Sequence, residues 1–153
     1  MKHEDITQRI LQACFEVAGE LGGGFLESVY EKSLALTLRE KGMKVLCQHP
    51  VKVMFRGQCV GEFFADMLVD DCVIVELKAV KAILPEHLAQ GINYLKATGI
   101  DVGLLVNFGP PRIEYRRLSR TKDVDGVLQE ALHGRPRIKG PVASVRNRKF
   151  SIC

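Results

Sequence analysis

The sequence predicts an α/β fold in which helices pack on a mixed β-sheet. Apolar residues recur at helical spacing over residues 5–41, whereas residues 44–80 show the short alternating or continuous apolar runs typical of strands. One further helical pattern, at residues 86–98, interrupts the strands. The chain has 153 residues, of which 46% are hydrophobic and 26% charged. It is therefore long and apolar enough to form a core, and a chain disordered throughout is excluded.

The predicted order of elements is α-α-β-β-β-α-β-β, and most boundaries coincide with residues that start or stop helices. Gly22 and Gly42 follow the first two helices, Pro85 starts the third helix and Gly99 ends it. Pro50 lies inside the first strand, which predicts that this strand lies at an edge of the sheet or is interrupted. The helices are predicted at about 5–20, 25–41 and 86–98, and the strands at about 44–56, 59–69, 73–80, 101–107 and 112–118.

The hairpin between the second and third strands determines whether two acidic residues, Asp66 and Glu76, meet. If residues 70–71 form a two-residue loop, Asp66 pairs with Val75 and Glu76 points to the opposite face. If the loop is the three residues 70–72, Asp66 lies opposite Glu76, with Cβ atoms about 5 Å apart. Two carboxylates that close can share a cation, and without a cation or a proton they repel each other. Both registers remain open, and a shared cation requires the longer loop or a bulge.

A lysine completes a group of charged residues on the third strand. Lys78 follows Glu76 by two residues, so the two side chains share a face of the strand. The neighbouring residues are apolar, as expected for a buried central strand, and charges are seldom placed there without partners or a metal ion. We therefore interpret Glu76 and Lys78 as candidates for chemistry. The alternative is a surface ion pair in a structural or interaction protein.

Two of the predicted helices add polar side chains to these candidates. Glu27 falls in the first turn of the second helix, and Tyr30, three residues later, shares its face. Taken alone, Glu27 is also explained as a carboxylate at a helix N-terminus, and Tyr30 as a core residue. On the third helix His87, Gln90 and Tyr94 form one stripe. That stripe also fits a polar helix edge against the sheet, with His87 as an ordinary surface histidine.

Four short motifs together resemble a known family. Residues 24–30 have the spacing Gly-x-x-Glu-x-x-Tyr, which resembles the signature of the bacterial and archaeal GxxExxY family. Members of that family look like compact domains of the PD-(D/E)XK nuclease superfamily. The pair Ala-Asp at 65–66, the triplet Glu-Leu-Lys at 76–78 and Gln-x-x-x-Tyr at 90–94 follow in the superfamily's order. The resemblance covers about residues 5–118 and implies a restriction-endonuclease-like core, a mixed central sheet flanked by helices.

The resemblance also implies a divalent-metal site. Asp66 and Glu76 would bind Mg²⁺ or Mn²⁺, the main-chain carbonyl of Leu77 would add a ligand, and Glu27 would complete the site directly or through water. Lys78 would orient or help to deprotonate the attacking water and stabilise the charge on the phosphate. Such a cation, held by hard oxygen ligands, supplies what phosphodiester hydrolysis needs at neutral pH.

The expected function is therefore a Mg²⁺- or Mn²⁺-dependent nuclease that hydrolyses phosphodiester bonds in DNA. Gln90 and Tyr94 would position the strand or support the metal site. The alternative is a catalytically silent module of the same fold that binds nucleic acid or another partner, because fold alone does not confer activity. A homodimer also remains open. We expect contacts to nucleic acid from Tyr30 and His87, and from Arg135, Arg137, Lys139, Arg146, Arg148 and Lys149.

The basic charge of the chain is concentrated at its end. Residues 120–153, here called the basic tail, hold eight basic and three acidic residues (+5), whereas residues 1–119 hold 14 basic and 15 acidic residues (−1). We expect a nuclease-like domain over 1–119 and a flexible extension over 120–153. The tail is interpreted either as a solvated segment or as an arm that contacts phosphates without sequence specificity. No membrane span or signal-peptide core is apparent, so a cytoplasmic protein is expected.

Overall fold

The computed structural model of the protein describes residues 1–120, and within them the predicted order of elements is confirmed. The basic tail, apart from Arg120, lies outside the described residues. Helices are α1 (Glu4–Leu21), α2 (Glu27–Glu40) and α3 (Pro85–Thr98), and strands are β1 (Val45–Phe55), β2 (Gln58–Val69), β3 (Val73–Lys78), β4 (Val102–Asn107) and β5 (Glu114–Ser119).

The five strands form one mixed sheet in the order β1-β2-β3-β4-β5. All neighbours are antiparallel except β3 and β4, which run parallel. Parallel neighbours cannot be joined by a tight turn, so the chain crosses between them through α3. The predicted α/β fold class, a mixed sheet flanked by helices, is confirmed. Pro50 lies in β1, at an edge of the sheet, as the sequence predicts.

The sheet separates two apolar cores. Val73, Val75 and Leu77 of β3 pack on one face with α1 and α2. Ile74 packs on the other face with α3. Side chains alternate along a strand, so Glu76 and Lys78 of β3 belong to the α3 face.

Helix α1, the longest of the three described helices, packs on α2 through one apolar face. Its buried side chains include Ile10, Cys14 and Val17, at the spacing of a helical stripe. Burial raises the pKa of the Cys14 thiol to about 12, so this cysteine behaves as a small core residue. Within residues 1–120, no helix combines the length and the apolar character that crossing a membrane requires.

The segment that follows β3 is fastened to β4 by Asn107. Its side chain is fully buried. The Oδ1 atom accepts hydrogen bonds from the N–H groups of Val80 and Gly109, both at 3.0 Å, and Nδ2 donates to the Val80 carbonyl at 3.0 Å. A Cβ atom at Gly109 would lie 1.9 Å from the Val80 carbonyl oxygen. Only glycine therefore allows the two backbones to approach this closely.

We expect Gly109→Ala to destabilise the protein by about 1–3 kcal/mol, because the methyl group must displace backbone rather than a flexible side chain. Urea unfolding measures this change. The matched control is Gly19→Ala in α1, where nothing lies within 4 Å of the added Cβ. That variant should be stabilised by about 0.5–1 kcal/mol. Equal stability of the two variants would contradict the close approach at Gly109.

Candidate active site

The β2–β3 hairpin takes the register that brings the two acids together. Val69 pairs with Val73, so the loop is the three residues 70–72. Both aspartates of this loop have a left-handed backbone, with φ of 49° and 58°, a conformation that Asp tolerates better than most residues. Continuing the register past the last ladder pair places Asp66 opposite Glu76. Of the two loops that the sequence leaves open, the longer one is therefore the one formed.

Asp66 and Glu76 are joined by crossed hydrogen bonds to main-chain groups. The N–H of Asp66 donates to Glu76 Oε1 at 2.9 Å, and the N–H of Leu77 donates to Asp66 Oδ2 at 2.8 Å. The side chains of Asp66 and Glu76 are almost completely buried, at 2% and 4% exposure. The orientation of both carboxylates is thus set by the backbone.

The chemistry of this pair fits a divalent cation. Two carboxylates held this close in a buried position repel each other unless positive charge or a proton lies nearby. The N–H of Leu77 points to Asp66, and in a strand the carbonyl of the same residue points to the same side. The Leu77 carbonyl therefore faces the same edge of β3 as the Asp66 carboxylate. Oxygen ligands of this kind are those preferred by Mg²⁺ and Mn²⁺.

Lys78 ends β3 beside the first turn of α3. Its carbonyl accepts a hydrogen bond from the N–H of Phe108 at 2.8 Å, which fixes the backbone at this point. Burial lowers the pKa of His87, the positive charge of Lys78 lowers it further, and Glu86 opposes the shift. The ammonium group of Lys78 therefore lies close enough to α3 for its charge to act on His87.

His87 itself fastens the start of α3. Its Nδ1 accepts a hydrogen bond from the N–H of Leu84 at 3.0 Å, so the ring satisfies one of the main-chain donors at the helix N-terminus. The side chain is half-buried. The predicted contact of His87 with nucleic acid stays a prediction.

Gln90 and Tyr94 form a hydrogen-bonded pair on α3. Gln90 Nε2 donates to the hydroxyl oxygen of Tyr94 at 3.0 Å, and both side chains are buried. The Tyr94 ring contacts Phe63 of β2, with ring centroids 5.6 Å apart. Of the stripe predicted from the sequence, Gln90 and Tyr94 therefore lie buried between α3 and the sheet, on the same face as Glu76 and Lys78, whereas His87 is half-buried. The predicted roles of this pair in positioning the strand or supporting the metal stay predictions.

The Gly-x-x-Glu-x-x-Tyr segment places its two polar residues in different environments. Glu27 is the first residue of α2 and is exposed. Tyr30 is 1% exposed, its ring stacks on Phe108 at 4.6 Å, and its hydroxyl donates to the Gly22 carbonyl at 2.7 Å and accepts from the N–H of Phe25. Tyr30 is therefore a core residue in this structure, which was the alternative interpretation of its place in the sequence. Its burial counts against the predicted contact with nucleic acid, because almost none of the residue is presented to solvent.

The structure brings together part of the predicted metal-binding set. Asp66 and Glu76 meet, whereas in the described residues no group of three or more His, Cys, Asp and Glu side chains is arranged around a common metal position. The participation of Glu27 stays a prediction. The basic residues from Arg135 to Lys149 that were expected to contact nucleic acid lie outside the described residues.

Two residues near Asp66 were missed by the sequence analysis, namely Gln48 of β1 and Glu31 of α2. Gln48 of β1 has a left-handed backbone (φ 52°), and its Nε2 donates to Oε1 of Glu31 at 2.9 Å. Burial raises the pKa of the adjacent Cys47, and the negative charges of Glu31 and Asp66 contribute to that rise. The negative charges of Glu31 and Asp66 therefore both influence Cys47, the neighbour of Gln48 in β1. The available signal was the four-residue spacing from Glu27, which places Glu31 on the same face of α2.

Comparison with known proteins assigns the family. The family model described as the PD-(D/E)XK nuclease superfamily matches residues 4–118. The match covers most of the chain and includes the hairpin, Lys78 and α3, so the chain belongs to the PD-(D/E)XK nuclease superfamily. No curated protein matches the chain.

The fold also resembles a solved structure. The crystal structure of SSO0001 superposes with a TM-score of 0.52 at 16% sequence identity, over 86% of this chain and 66% of the other chain. The present chain thus spans just under two thirds of the length of that neighbour. At this identity the likeness shows the fold, and it agrees with the restriction-endonuclease-like core implied by the sequence.

Because Asp66 accepts a hydrogen bond from the Leu77 N–H, we expect the Asp66→Asn and Asp66→Ala proteins to differ in their free energy of unfolding. Asp66→Asn can still accept from the N–H of Leu77, whereas Asp66→Ala leaves this buried donor without an acceptor. In metal-free buffer we expect the alanine variant to be about 1–3 kcal/mol less stable than the asparagine variant. Urea unfolding in the presence of EDTA measures the difference. Two variants of equal stability would show that the hydrogen bond is not formed in solution.

The proximity of Lys78 and His87 can be read from a titration. The positive charge of Lys78 disfavours the imidazolium form, so Lys78→Ala should raise the pKa of His87. An NMR titration of the His87 ring measures the shift. Lys81→Ala is the control, because Lys81 is an exposed lysine that makes no contribution to the shift of His87. A His87 pKa that is the same in wild type and Lys78→Ala would place the ammonium group away from α3.

Proposed function

We propose that this protein is a Mg²⁺- or Mn²⁺-dependent nuclease that hydrolyses phosphodiester bonds in DNA. The observation that carries the proposal is the acid pair of Asp66 and Glu76, held by crossed main-chain hydrogen bonds, with Lys78 two residues after Glu76 on the same strand. Membership of the PD-(D/E)XK nuclease superfamily supports a nuclease. The choice of metal and of DNA as substrate belongs to the proposal.

The metal would be held by residues on the edge of β3 that faces β2. Asp66 and Glu76 supply carboxylate oxygens and Leu77 supplies its main-chain carbonyl. Mg²⁺ keeps several of its waters, so it needs few protein ligands. Glu27, at the start of α2, would act through one of these waters or directly. When bound, a divalent cation promotes ionisation of water at neutral pH and stabilises charge on phosphate oxygens.

Lys78 has the position expected of a residue that acts on the attacking water. It lies on the same strand face as Glu76, at the partly exposed end of β3, where substrate can approach. An ammonium group there can hold the water in line with the scissile bond and stabilise the extra negative charge of the transition state. Gln90 and Tyr94, buried on the same face of the sheet, would position the nucleic-acid strand or support the metal site.

The test is cleavage of single-stranded, duplex and branched DNA, and of RNA, with Mg²⁺ or Mn²⁺. We expect metal-dependent cleavage of DNA that falls by about 10²–10³-fold in Lys78→Ala, the range typical for loss of one group that stabilises charge in the transition state. Lys81→Ala, which removes a nearby exposed lysine, is the matched control and should retain activity. Full metal-dependent activity of Lys78→Ala would contradict the role given to Lys78.

Metal binding is measured separately from cleavage by the thermal shift with Mn²⁺. Wild type should be stabilised by Mn²⁺ because the ion binds the folded state, and Asp66→Asn should lose the stabilisation. No thermal shift in wild type, together with no cleavage of any substrate in the panel, would favour the catalytically silent module. In that case retained binding of DNA would identify it as a nucleic-acid-binding protein.

A further inference from the structure

Gln48 lies directly across from Asp66, at an irregularity in β1. The two strands pair on either side of this position, at Cys47 and at His49, and no pair is formed at Gln48 itself. The left-handed backbone of Gln48 is unfavourable for a residue with a side chain. Such a conformation persists only where the surrounding structure holds it, and it is often associated with functional sites.

In both β1 and β2, the face of the sheet to which alternate side chains point is reversed near this position. Val45 packs in the core with α1 and α2, whereas Val51, an even number of residues further along β1, packs in the core with α3. In β2, Met67 packs in the core with α1 and α2, whereas Ala65, only two residues away, packs in the core with α3. In a regular strand, residues separated by an even number share a face. The reversal in β2 therefore falls at Asp66.

This reversal explains how Asp66 reaches the backbone of β3. In a regular strand this side chain, which is shorter than that of Glu76, would stand perpendicular to the sheet and point away from the main-chain donors of β3. At the reversal the carboxylate points along the sheet instead, and its Oδ2 accepts from the N–H of Leu77. The left-handed backbone of Gln48 and the orientation of Asp66 thus occur at the same position of the β1–β2 pair, in a single local distortion.

The Gln48 side chain connects this distortion to α2. This exposed side chain donates from Nε2 to Oε1 of the half-buried Glu31 at 2.9 Å, and a hydrogen bond to a carboxylate is stronger than one between neutral groups in the same setting. Glu31 lies one helical turn after Glu27. The hydrogen bond therefore fixes the first turns of α2 against the strand position that faces Asp66.

We propose that Gln48 is a positioning residue for the candidate active site. Through Glu31 it holds the distorted backbone of β1, which keeps Asp66 turned toward β3, and it sets the distance between the start of α2 and the acid pair. The part of this inference that concerns metal rests on the proposed function. The orientation of Asp66 does not depend on metal and can be tested without it.

The metal-free test measures hydrogen exchange of the Leu77 amide, the donor to Asp66, by NMR in EDTA. Gln48→Ala and Glu31→Ala should each lower its protection about tenfold, and the double variant should lower it by less than the product of the two effects, because each change removes the same hydrogen bond between Gln48 and Glu31. Glu31→Gln retains a side-chain oxygen acceptor and should keep the protection. The control is Arg56→Ala. Arg56 also has a left-handed backbone, but it lies in the turn between β1 and β2, so this change should not affect Leu77. Unchanged protection in Gln48→Ala would overturn the proposal.

The metal-dependent test measures the affinity for Mn²⁺ of the same variants by titration. Loss of a residue that orients a metal ligand typically weakens metal affinity by about 10–100-fold, so Gln48→Ala and Glu31→Ala should weaken it by at least tenfold, with rescue in Glu31→Gln. Equal affinities of Gln48→Ala and Arg56→Ala would overturn the metal part of the proposal. If wild type binds no Mn²⁺ while Leu77 loses protection in Gln48→Ala, the proposed function fails and the positioning of Asp66 by Gln48 stands.

Discussion

The crossed hydrogen bonds between Asp66 and Glu76 are the constraint on which the candidate site depends. Burying two carboxylates is unfavourable, and here each is compensated by a main-chain N–H at 2.8–2.9 Å. The same bonds hold β2 and β3 together where their regular ladder ends, after Met67 and Val75. Sheet structure and site chemistry are therefore not separable at this point, since the groups that hold the strands together are those that would bind the cation.

The topology of the sheet places the other residues around this pair. The parallel step from β3 to β4 requires a crossover, and α3 is that crossover. The carboxyl ends of both strands therefore lie at one edge, where Lys78 of β3 is paired with Asn107 of β4. Asn107 then ties down the chain that leads to α3, and α3 carries His87 and Gln90 back over the face occupied by Glu76. In open α/β sheets, ligands bind outside the carboxyl ends of strands, and the candidate site lies there.

The sequence predicts the fold better than it predicts the details of the site. Element order follows from changes in apolar period, which are local, and every helix and strand predicted within residues 1–119 is present. The meeting of Asp66 and Glu76 depends on one residue of loop length, which the local pattern left open. Gln48 was missed because a left-handed backbone at a glutamine inside a strand has no signature in the local apolar pattern. Tyr30 shows the converse case, since its place in the motif does not reveal that its ring is buried.

Leu77 illustrates how a position between two functional side chains can contribute only through its backbone. Its N–H holds Asp66, its carbonyl faces the same edge, and its side chain packs in the core with α1 and α2. What this position must supply is a main-chain donor and an apolar shape, so other apolar residues of similar volume can replace leucine there, whereas proline, which lacks the N–H, cannot. The variable middle letter of the Glu-x-Lys triplet thus corresponds to a residue whose identity is set by packing and whose contribution to the site is independent of its side chain.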